Sequence, residues 1–126
     1  MLDTCTYVDL GIVDSSALPR LPELTAITLA ELQQGVAMAK DPVTRAARME
    51  KLGAAGSDFD ALPFDSDAAA RYGTLVALVL NSGRDPRPRR MDLMIAAIAS
   101  TRGVPLFTRN ADDFKGLESA VTVVAV

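Results

Sequence analysis

A chain of 126 residues, 49% hydrophobic and 23% charged, has the make-up of one globular domain spanning residues 1–126. A domain of that length buries about two-thirds of its unfolded surface and needs no disulfide staple. The absence of histidine excludes a Ser-His-Asp triad, a Cys-His pair and an imidazole base, so hydrolytic chemistry has to come from carboxylates, lysine or a metal-activated water. The single cysteine, Cys5, excludes an internal disulfide and a cysteine-rich zinc site, and the net charge of −3 removes bulk charge as an argument for nucleic-acid binding.

In chain order, residues 1–4 are expected to form the stub of a strand, followed by a short helical or turn segment through Val13. Pro19 and Pro22 mark a loop, and residues 24–27 form a short β-type run. Residues 28–40 have helical spacing, with Leu29, Leu32, Val36 and Ala39 on one face. Asp41 followed by Pro42 reads as an N-cap and first helical position, and Gly53 and Gly56 are expected to end that helix. Residues 59–64 read as a strand closed by Pro63, and residues 66–80 as an alanine- and leucine-rich helix. An arginine- and proline-rich loop over residues 83–90 leads to a helix with Met91, Met94, Ile95 and Ile98 as its apolar stripe, ended by Gly103. The β-branched runs 104–107 and 121–126 complete the series. Alternating strands and helices predict an α/β fold, a three-layer α/β/α sandwich around a mostly parallel sheet. The opening shows no signal peptide and no apolar run approaches the ~20 residues of a membrane span, so a cytoplasmic setting with no membrane contact is expected.

In such a sheet, ligands bind beyond the carboxyl ends of the strands. Several acids fall there. Asp3 closes the first strand, Glu31 lies in the helix after residues 24–27, Asp92 opens the helix after the arginine loop, and Asp112 and Asp113 follow the strand ending at Phe107. Carboxylates converging from distant positions repel one another and call for a cation. A hard divalent ion accepts their oxygens and activates water. Each acid also has a structural reading. Glu31 completes a capping box with Thr28, Asp92 complements a helix dipole, and Asp112 and Asp113 cap a turn. Asp3 fits a structural role least well, since no cap is evident there. Spacing alone leaves the chemistry open.

Four ordered stretches carry a family resemblance: Leu2-Asp3-Thr4; Ile27-Thr28-Leu29-Ala30-Glu31-Leu32 with Gly35; residues 92–99, beginning Asp92-Leu93-Met94; and Thr108-Arg109-Asn110-Ala111-Asp112-Asp113-Phe114. Together they resemble the motifs of PIN-domain ribonucleases, specifically the toxins of VapBC toxin–antitoxin pairs (the VapC family). The resemblance implies a catalytic quartet of Asp3, Glu31, Asp92 and Asp113, of which Asp3, Asp92 and Asp113 hold Mg²⁺ or Mn²⁺. Thr4, Thr108 and Asn110 would support the pocket, and Asp112 would stay at the surface. It further implies endonucleolytic cleavage of structured RNA such as tRNA or ribosomal RNA, a VapB-type antitoxin whose C-terminal segment covers the groove and pocket, and a homodimer.

Two features depart from the pattern. Only Met1 and Leu2 precede Asp3, and Cys5 stands where the family commonly has asparagine or serine; Cys5 is expected to be a small buried core residue. Arg84, Arg87, Arg89 and Arg90 read either as phosphate contacts beside the pocket or as a solvated loop. Three other functions compete. A haloacid-dehalogenase-type phosphatase would need an acid where Cys5 stands. An RNA-processing PIN nuclease and a non-catalytic RNA- or protein-binding module would keep the fold.

Overall fold

The computed structural model describes residues 1–126. Five helices are formed: α1 (Thr4–Val8), α2 (Ala26–Ala37), α3 (Pro42–Asp58), α4 (Ser66–Asn81) and α5 (Arg90–Arg102). Two short strands follow, β1 (Leu106–Thr108) and β2 (Val123–Ala125), which pair in parallel. Short 3₁₀ turns occupy Ser15–Ala17, Arg87–Arg89 and Ala111–Phe114.

The sheet extends beyond its two named strands. Leu2 bridges Phe107 in parallel, Leu2 N–H donates to the Glu23 carbonyl at 2.9 Å, and Thr25 bridges Leu62 in parallel. Five extended segments therefore lie side by side, in the spatial order 62, 24, 2, 107, 124. By chain order this is 3-2-1-4-5. Every pairing with an assigned direction is parallel, in agreement with the expected mostly parallel sheet. The order reverses between the first segment and β1, which is where an open parallel sheet leaves a crevice at its carboxyl edge.

Alternation along the strands builds the layers. Met1 and Leu106 enter one core with Leu75 and Val79 of α4 and with Leu93, Ile95 and Ile98 of α5. Leu2 and the half-buried Phe107 enter a second core with Tyr7 of α1, Leu32 of α2 and Ala55 of α3. Successive residues facing opposite sides of one sheet give the expected α/β/α arrangement.

Aspartate side chains cap two of the long helices. Asp41 and Asp65 cap α3 and α4, accepting the Thr44 N–H at 2.8 Å and the Ala68 N–H at 2.9 Å. Pro42 occupies the first helical turn, as expected. Gly103, at φ 65°, ends α5 in the left-handed conformation that glycine adopts without strain.

Several boundaries differ from the sequence expectations. Helix α2 begins at Ala26, not at residue 28, because the Thr25 hydroxyl accepts the Thr28 N–H at 3.2 Å and serves as N-cap. Glu31 is thus one turn too far along to close a capping box with Thr28. Helix α3 runs through Gly53 and Gly56 to Asp58, since neither glycine adopts a positive φ and its other helix formers outweigh a loss of about 1 kcal/mol per glycine. The expected strand over residues 59–64 reduces to the single bridge at Leu62. In α5 the inward residues are Leu93, Ile95, Ala96, Ala97, Ile98 and Ala99, while Met91 and Met94 stay half-exposed. The helix is buried nearly all round, so a one-sided stripe describes it poorly. No helix is long and apolar enough to cross a membrane.

Candidate active site

Asp3 sits at the carboxyl end of the first segment, buried to 3% exposure. One carboxylate oxygen caps α1 by accepting the Thr6 N–H at 2.9 Å, and the other accepts the Thr108 hydroxyl at 2.5 Å. The expectation that no cap is required at Asp3 is therefore corrected. Asp3 starts a helix and is also tied across the sheet's point of reversal. The Thr108 hydroxyl in turn accepts the Asn110 N–H at 2.9 Å, which fixes the turn leading to Asp113.

Thr4 performs the same service for Glu31. Its hydroxyl donates to Glu31 Oε1 at 2.6 Å and lies 3.0 Å from the Thr28 hydroxyl. Residues of α1 and α2 thereby hold the Glu31 carboxylate toward the carboxyl edge. Asp92 stands in the first turn of α5. Asp113, in the 3₁₀ turn after β1, accepts an ion pair from Arg89 at 2.9 Å, and the same guanidinium lies 3.9 Å from Asp92.

The electrostatics place the four acids in one field. Burial, followed by the charges of Glu31, Asp113 and Asp3, raises the Asp92 pKa from 3.8 to about 6, with Arg89 opposing. Burial first, then the charges of Asp3, Asp92, Glu31 and Asp9, also raises the pKa of the Cys5 thiol and keeps it protonated. Four acids separated by up to 110 positions thus press on a common region. Separate capping roles would not require that convergence.

A curated relative, Ribonuclease VapC5 from Mycobacterium tuberculosis, is 39% identical over 98% of this chain and 90% of its own length. The chain belongs to the VapC family. A solved member of the VapBC family of toxin–antitoxin systems, VapBC-5 from the same organism, superposes with a TM-score of 0.88 and 35% identity, covering 99% of this chain and 96% of the other. FitAcB from Neisseria gonorrhoeae matches with a TM-score of 0.73 and 27% identity over 97% and 94% of the two chains. No protein-family model matches the sequence.

Within this VapC-family site, the donor chemistry suits a hard divalent cation. All four acids offer oxygen, and Asp92 lacks a full counter-charge. No three acidic side chains form a ready-made coordination group, however. Asp3 has both oxygens engaged, and Asp113 is held by Arg89.

The remaining expected residues divide. Asn110 acts through its main chain, and its side chain is exposed. Asp112 is a surface residue paired with Lys115 at 3.2 Å, as expected. Arg87 pairs with Asp85, Arg84 donates to the Asp112 carbonyl at 2.7 Å, and Arg90 is exposed. Cys5 is exposed on α1 among the acids, which corrects the expected buried core residue: α1 turns this position outward while Thr6 and Tyr7 face in.

Sequence reasoning also missed Arg109. Its guanidinium pairs with Asp9 at 2.7 Å and its N–H donates to the Thr6 hydroxyl at 3.1 Å, pinning the 108–110 turn onto α1. Nothing in the local sequence signals a contact across 100 positions.

Beside Thr4 and Glu31 a cavity of about 690 Å³ opens between α1, α2 and α3, with Val8, Val43, Arg48 and Lys51 on its walls. Val8 and Val43 are 48% and 81% exposed, so the groove presents apolar side chains to solvent next to the acids.

Proposed function

We propose that this chain is the toxin of a type II toxin–antitoxin pair, an endoribonuclease that uses Mg²⁺ or Mn²⁺ to cleave structured RNA, tRNA or ribosomal RNA. The observation that carries the chemistry is the convergence of Asp3, Glu31, Asp92 and Asp113 from separate elements, held by Thr108, Thr4 and Arg89, where burial and mutual repulsion push the Asp92 carboxyl up to about 6. In this reading Asp3, Asp92 and Asp113 hold the ion, and Glu31 binds it through water or orients the attacking one. When bound, the ion supplies a nucleophile from water and neutralises charge developing on the phosphoryl oxygens.

The chain's own residues set the stage for that step. Thr108 holds Asp3, Thr4 aims Glu31, and Asn110 braces the turn that presents Asp113. Side-chain partners of this kind, here Thr4 and Thr108, typically carry roughly 10–100-fold in metal affinity or activity when removed. Arg84, Arg87, Arg89 and Arg90 lie in and beside the 3₁₀ turn that leads into α5 and offer positive charge to RNA phosphates near the pocket.

The partner in this reading is a VapB-type antitoxin, by analogy with the solved VapBC-5 system. Its C-terminal segment would lie in the groove between α1, α2 and α3 and reach the acids past Thr4 and Glu31. The protein acts in the cytoplasm and pairs as a homodimer.

Incubating the purified protein with tRNA and ribosomal RNA tests the proposal. Cleavage should stop with EDTA and return with excess Mg²⁺, and Asp92→Asn should fold normally and lose at least 100-fold in rate. Cleavage that persists in EDTA, or an Asp92→Asn protein cutting at the parent rate, would remove this reading. An absence of cleavage with every RNA would favour a binding module on the same fold.

A further inference from the structure

Arg89 is the one arginine of the basic loop that turns toward the acids. Arg84 is committed to the carbonyls of Asp112 and Lys115, at 2.7 and 3.5 Å, and Arg87 to Asp85. Arg89 occupies the N-cap position of α5 without capping it, and its guanidinium reaches Asp113 Oδ1 at 2.9 Å and Asp92 Oδ2 at 3.9 Å. The two carboxylates are about one-quarter exposed and the arginine 40% exposed, so the contact lies at the mouth of the site.

A guanidinium carries one charge, and its donors lie in a plane. It can neutralise Asp113 and lean on Asp92, yet it leaves Glu31 and Asp3 uncompensated and gathers no three acids into a coordination group. A divalent ion brings twice the charge and accepts oxygens from several directions. Both cations compete for the charge of the Asp113 carboxylate, which Arg89 already holds through Oδ1. We propose that Arg89 is a resident counter-ion of the acid site, which a divalent cation must displace from Asp113, so that the Arg89 contact sets the concentration of ion at which the site fills. The inference rests on the metal-dependent reading above. A cavity of about 290 Å³ bounded by Val79, Arg84 and Pro88 adjoins Arg89 and Asp113 and gives the released side chain room to move.

The test is Mn²⁺ binding by calorimetry to the full-length parent, Arg89→Gln and Arg90→Gln, without RNA. Arg90 is exposed and has no acidic partner in the site, so its replacement removes the same charge one position away. Arg89→Gln should bind Mn²⁺ at least fivefold more tightly than the parent, and Arg90→Gln less than twofold more tightly. Equal or weaker binding by Arg89→Gln, or the same gain in both variants, overturns the proposal. Should Arg89→Gln fail to fold, the parent alone decides the matter. Saturating Mg²⁺ should move the Arg89 side-chain N–H resonance to the position of a solvated guanidinium, and an unmoved resonance overturns the displacement. Failure of all three proteins to bind Mn²⁺ removes the metal site itself and this inference with it, an outcome distinct from equal binding.

Discussion

Asp92 has an inverted pH signature for a carboxylate. A salt-bridged acid loses its proton more easily in the folded chain, whereas Asp92 holds it up to about pH 6. Below its ordinary value of 3.8, folded and unfolded chains both carry the proton, and Asp92 contributes no difference. Between the two values the unfolded chain has released the proton and the folded one has not, so stability falls as pH rises. Above pH 6 the full penalty stands. Discounted for the partial exposure of the side chain, that penalty is about 1–2 kcal/mol. In EDTA, Asp92→Asn should therefore raise the unfolding temperature at about pH 7.5, with the gain vanishing by about pH 4. Thermal melts over that range check it; a variant less stable than the parent at the higher pH contradicts the crowded-acid account.

Residue type was readable at this scale, and pairing was not. The lack of histidine directed attention to acids, and the structure brings Asp3, Glu31, Asp92 and Asp113 into one field. Asp3's cap on α1 and its Thr108 partner depend on a helix of five residues and a bond spanning 105 positions, and local sequence encodes neither visibly. Cys5 misled because burial statistics for cysteine say nothing about which side of a short helix faces out.

At the scale of elements, helices with an aspartate cap were legible, as α3 shows at Asp41 and Pro42. The sheet was harder to read. Its named strands have three residues each, and its other segments are single bridges, too short to show an alternation. Helix α5 carries the greatest packing demand. It contacts α2, α4 and the 3₁₀ turns on either side of the site, and Ala96, Ala97 and Ala99 are fully buried. Small side chains let its neighbours approach closely while its first turn presents Asp92. Ala97→Leu should overpack this contact and destabilise the fold by about 1–3 kcal/mol. An unchanged urea midpoint would mean that α5 has slack the packing does not show.

Across the whole molecule, the order 3-2-1-4-5 explains why these acids meet. The first segment and β1 are neighbours at the reversal, so Asp3 and Thr108 end side by side. Helices α2 and α5 start at that same edge and bring Glu31 and Asp92, and the turn after β1 returns Asp113. Alternation of elements along the chain implied the layers. The strand order depended on hydrogen bonds such as Leu2 to Glu23, invisible until the chain is folded. The family motifs conveyed what periodicity could not, because they record positions that converge only in three dimensions.

The proposed divalent cation would lie at the carboxyl edge of the sheet, among Asp3, Glu31, Asp92 and Asp113. Titrating Mn²⁺ into isotopically labelled protein and following backbone amide signals tests this placement most directly. Selective broadening should appear first at Thr4, Cys5, Asp92 and residues 108–113, and it should be absent in Asp92→Asn. Broadening spread evenly over exposed acids such as Asp14 and Glu118, with those amides unaffected, would contradict it.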